Sequence, residues 1–63
     1  MRSETSNALS AQIKQARIKA GLTQKELAEL TGLTQVYISQ LENGKVEKLQ
    51  MITREKLERI IEI

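Results

Sequence analysis

Apolar residues recur along this chain at helical rather than alternating spacing. Leu9, Ile13, Ala16, Arg17 and Ala20 fall at i, i+4, i+7, i+8 and i+11, which predicts one face of a helix over residues 7–20. Ser6 is the expected N-cap, with Ser10 as the competing position, and residues 1–5 are expected to be disordered. A second helix is signalled from Gln24 to Leu30 or Thr31, with Leu27, Ala28 and Thr31 facing inward. Thr23 and Glu26 have the spacing of a capping box, and Leu22 can pack on Leu27 as a hydrophobic staple. The same device recurs at Thr34, with Leu33 and Ile38 as the staple, and predicts a third helix over 35–42 that turns Ile38 and Leu41 to the core. Gly21, Gly32 and Gly44 follow the three periodic stretches as stop signals. Beyond Gly44 the pattern is weaker. Thr53 can cap a fourth helix over 54–63 with Leu57, Ile60 and Ile61 on one face. Residues 45–52 read as a connector, a separate short helix being the alternative. The whole is expected to be a single domain, residues 1–63, all-α, a compact bundle of four to five helices.

Composition narrows the chemistry. The 63 residues include no Cys and no His, which removes thiolate and imidazole metal sites and the commonest general base. No enzyme, cofactor or metal is expected. The one aromatic residue is Tyr37, so the core must be aliphatic. No apolar run approaches the roughly 20 residues that span a bilayer. The N-terminal stretch MRSETSNALS also lacks the apolar segment of a secretory signal. The expectation is a cytoplasmic protein with no membrane partner. A net charge of +2 and a pI near 9.2 permit nucleic acid without requiring it.

The outer face of the third helix is unusual in what it omits. Gln35, Val36, Ser39 and Gln40 lie there, with no acidic residue until Glu42. A merely solvated face would carry Lys and Glu, as residues 45–62 do. Amide and hydroxyl side chains beside one small apolar group suit the edges of base pairs.

The stretch Gln24–Gly44, QKELAELTGLTQVYISQLENG, resembles the helix-turn-helix of the lambda/434 repressor and Cro family, an XRE-type regulator, over about residues 9–45. Ala28 is small where two helices approach, Gly32 occupies the turn, and Leu33, Ile38 and Leu41 fill the wedge between them. The resemblance implies a helix-turn-helix over 24–43 in a lambda-repressor-like fold. It further implies sequence-specific binding of double-stranded DNA, with helix 35–42 entering the major groove as the second helix of the motif does across that family. Gln35, Val36, Ser39 and Gln40 would then read bases. Gln24, Lys25, Tyr37, Asn43 and Lys45 would meet phosphates, although Asn43 before a glycine is also ordinary helix-ending chemistry, and Tyr37 can equally cover the core. Arg17 and Glu42 are expected to form the family's partly buried salt bridge. The family implies a regulator of transcription, expected here to be a repressor acting as a homodimer. Leu49, Met51, Ile52, Ile60, Ile61 and Ile63 exceed what a short last helix can bury, and are the expected dimer surface. The competing reading is an antitoxin-type protein-interaction module that uses those apolar residues on a protein partner, with DNA binding secondary.

Overall fold

The computed structural model describes the backbone of residues 4–63 and side chains from Ala8 onward. The chain forms four helices among the described residues: α1 (Glu4–Lys19), α2 (Gln24–Thr31), α3 (Gln35–Glu42) and α4 (Met51–Glu58). No strand occurs among them, as the periodicity required.

The middle of the chain follows its local signals closely. The Thr23 hydroxyl accepts from the Glu26 amide at 3.0 Å, and the Glu26 carboxylate accepts from the Thr23 amide at 2.8 Å. Both partners of the capping box are therefore engaged, and two of the N–H groups left over at the start of α2 are satisfied. Thr34 caps α3 by accepting from the Tyr37 amide at 3.1 Å. The turn between the two helices passes through Gly32 at φ +77°, a left-handed conformation that a Cβ disfavours. α3 is closed differently. Asn43 is its C-cap at φ −96°, Gly44 takes the left-handed position, and the Lys45 amide donates back to the Gln40 carbonyl at 2.9 Å. That long return bond is the signature of a Schellman ending.

The two outer helices depart from expectation. α1 begins at Glu4, three residues before Asn7, so Ser6 lies inside the helix rather than capping it. No glycine or proline in residues 4–6 opposes the extra turn. The backbone of Glu4 and Thr5 is helical, and the expectation of disorder over residues 1–3 lies outside the described residues. α4 starts at Met51 with Gln50 as N-cap, and no side chain caps it. Thr53 is buried within that helix instead of beginning it. The reason is the inward stripe: Thr53, Leu57 and Ile61 lie at i, i+4 and i+8, and all three are buried. Residues 45–50 form the connector, shorter than the 45–52 expected.

Ile13, Leu27, Ala28, Ile38, Leu41, Leu57 and Ile61 make the buried core, so each helix contributes to one aliphatic cluster. α3 packs on both α1 and α2, which places it as the keystone of the bundle. Thr31, the polar member of the inner face of α2, satisfies its hydroxyl on the Leu27 carbonyl at 2.7 Å. Ala20, expected inward, is exposed because α1 has already ended. The surplus apolar surface is also smaller than anticipated. Ile61 is a core residue, and Leu49, Ile60 and Ile63 pack against the core half-buried. Of the six residues, Met51 and Ile52 stand exposed, at 76% and 59%.

Candidate nucleic-acid interface

Core packing fixes the rotation of α3. With Ile38 and Leu41 held inside, the positions a half-turn away must face out. Gln35, Val36 and Gln40 are exposed, Val36 by 67%. Ser39 is half-buried, and its hydroxyl accepts a weak 3.3 Å bond from the Asn43 side-chain amide. All four residues expected to read bases thus belong to the outward side of one helix, three of them exposed and Ser39 leaning on Asn43. No carboxylate interrupts this side before Glu42, and Glu42 is turned inward with 2% of its side chain exposed. The face therefore presents amide donors and acceptors, a hydroxyl and a methyl surface without fixed negative charge.

The residues expected at phosphates are distributed around that face. Lys25 in the first turn of α2 and Lys45 just past α3 are exposed. Asn43 is exposed at the C-cap of α3. Tyr37 is half-buried and packs against the core while bordering an open groove beside the helix-turn-helix turn. Lys48 and Gln50 of the connector share that groove. Residue spacing assigns Lys48 no role, since an irregular connector does not reveal which helix it lies beside.

Gln24 is held in a way the spacing of residues could not show. Its Nε2 donates to Glu42 Oε1 at 3.1 Å. The same carboxylate receives Arg17 twice, from Nε at 2.6 Å and from Nη2 at 3.1 Å. Arg17 also donates from Nη1 to the Leu22 carbonyl at 2.8 Å. The salt bridge expected between Arg17 and Glu42 is present, bidentate, with 12% and 2% of the two side chains exposed. Planar fork geometry of this kind is what Arg supplies and Lys does not. The outcome is one polar knot that joins the end of α1, the start of α2 and the end of α3.

Among the described residues no cluster of His, Cys, Asp and Glu could hold a metal ion. No helix among them is long and apolar enough to cross a membrane. A family model described as helix-turn-helix matches residues 13–63, from the first core residue of α1 to the end of the chain.

Proposed function

Because the chain belongs to this helix-turn-helix family, of the Cro and lambda-repressor type, we propose that it is a sequence-specific DNA-binding repressor whose α3 enters the major groove. Domains of the family are non-catalytic DNA-binding modules with regulatory roles. One observation carries the finer reading: the exposed side of α3 has no acidic residue and offers Gln35, Val36, Ser39 and Gln40. Gln35 and Gln40 can each pair in a plane with adenine N6 and N7, and Val36 can meet a thymine methyl. Lys25, Lys45, Asn43, Gln24 and Tyr37 surround this side as phosphate contacts that fix register without reading sequence.

The recognition side carries no Lys or Arg, so few counterions are released per subunit and the affinity of one copy is low. A two-fold dimer on half-sites about one helical turn apart overcomes this. Met51 and Ile52 are the exposed apolar pair that supports self-association. The same pair favours, as a second reading, a contact with a different protein of the kind an antitoxin makes. Selection of bound sites from random DNA, with salt varied, tests the main reading. A two-fold symmetric site that is lost in the Q35A/Q40A variant is expected. No enriched site, together with a stable complex with another protein through Met51 and Ile52, would replace it with the second reading.

A further inference from the structure

Gln24 occupies the first position of α2, where leftover N–H groups and the helix dipole favour an anion. An amide side chain there can be turned either way, and only its nitrogen can serve a phosphate, which accepts but does not donate. Glu42 removes the ambiguity. Its carboxylate is also acceptor-only, so the Gln24 nitrogen, not the oxygen, must face it, as the 3.1 Å contact requires. One N–H is used on Glu42, and a second N–H on the same nitrogen diverges from it. Gln24 is half-buried, and its bond to Glu42 is part-buried, so the residue is not sealed from solvent.

We propose that Glu42 is a positioning residue for Gln24: the buried carboxylate fixes the amide so that its remaining N–H is available to a DNA backbone phosphate. Arg17 makes this arrangement tolerable. By neutralising Glu42 through two bonds, it leaves no net negative charge behind the amide to repel the phosphate. The pair thus acts at a distance from the reading face of α3, through a neighbour rather than by contact with DNA. The inference rests on the DNA-binding reading but not on base recognition, because a phosphate contact is independent of sequence.

The test uses a mixed-sequence DNA duplex at low salt and four forms of the protein: the natural chain, Q24A, R17M/E42M, and R17M/E42M with Q24A. Replacing both members of a buried ion pair with apolar residues of similar size is commonly neutral or stabilising, so the doubly apolar form keeps the fold. In the natural background Q24A should weaken binding by roughly ten- to a hundredfold, the range of one hydrogen bond to a charged group. In the R17M/E42M background Q24A should change nothing further, since the amide is no longer held. Equal losses in both backgrounds would overturn the proposal. The Gln24 side-chain amide protons supply a readout without DNA. In the natural chain the proton held on Glu42 should exchange slowly with solvent and be displaced from its free-glutamine shift, and in R17M/E42M it should return to the free shift and fast exchange; identical shifts and exchange rates in both would also overturn it. If the natural chain binds no duplex at all, the DNA reading fails by itself, and the amide resonances still decide whether Glu42 orients Gln24.

Discussion

Replacement of Glu42 by alanine should be the most damaging polar substitution in this molecule. The change deletes the carboxylate that takes two bonds from Arg17 and one from Gln24. Arg17 keeps the Leu22 carbonyl on Nη1, but Nε and Nη2 lose their partners in a site where 12% of the side chain reaches solvent. A buried pair broken from one side typically costs about 3–5 kcal/mol, because the surviving charge is left uncompensated. A single core in a domain of this size seldom supplies more than about 3–5 kcal/mol in total. Glu42→Ala should therefore consume most of the stability, and Arg17→Ala should act in the same direction by stranding a carboxylate whose side chain is 2% exposed. The control is R17M/E42M, which removes both charges and should lie near the natural chain. Urea unfolding followed by far-ultraviolet circular dichroism measures all of them, with the midpoint read at constant slope. Losses under about 0.5 kcal/mol for both single alanine variants, the size of an ordinary surface change, would refute the reasoning. Such a result would mean that water reaches the guanidinium and carboxylate freely once one partner is gone.

Four further outcomes follow from the placement of other residues. Q35A/Q40A should leave the urea midpoint within the error of the natural chain, because both side chains are exposed. Its binding to a selected site should fall by about 1–3 kcal/mol per lost base contact, measured by titration at fixed salt. Gly32→Ala should destabilise by about 1–2 kcal/mol, the ordinary cost of a left-handed alanine. No atom lies within 4 Å of the added Cβ, so no clash adds to that cost, and Gly32→Asn should recover part of it in the same unfolding assay. M51E/I52E should keep the fold and lower the sedimentation-derived association constant, since both residues are exposed; an unchanged constant would place self-association elsewhere. Ile61→Glu is not a surface probe. With 3% of the residue exposed, it should unfold the domain and show little about partners.

The parts of this fold that could be read along the chain are those whose signals are local. Thr23 with Glu26 and Thr34 with its staple announce α2 and α3, because each cap acts within its own first turn. Glycine announces their ends for the same reason. α4 had no such signal: Gln50 makes no side-chain cap bond, and Thr53 has the chemistry of a cap but lies in the inward stripe. Local propensity pointed to Thr53, and tertiary burial prevailed. The Gln24–Glu42 bond spans eighteen positions and exists because α3 crosses back over the start of α2. Periodicity can place each residue on a face but cannot bring the two faces together. The salt bridge of Arg17 became legible through the family resemblance, and from spacing alone it was two unrelated charges. Of the reading face, the sequence revealed the residue types and the outward side, whereas the lean of Ser39 on Asn43 needed coordinates.

Tyr37 gives this molecule a built-in optical reporter. It is the sole aromatic side chain, it rides on α3, and it borders the groove beside the turn. Emission excited in the phenol band therefore comes from one known place, with no tryptophan to drain or mask it. A duplex that settles along α3 would alter the polarity and quenching around that ring, whereas contacts confined to Met51 and Ile52 would leave it to respond only through the fold. Label-free fluorescence can thus distinguish the two surfaces in the natural chain.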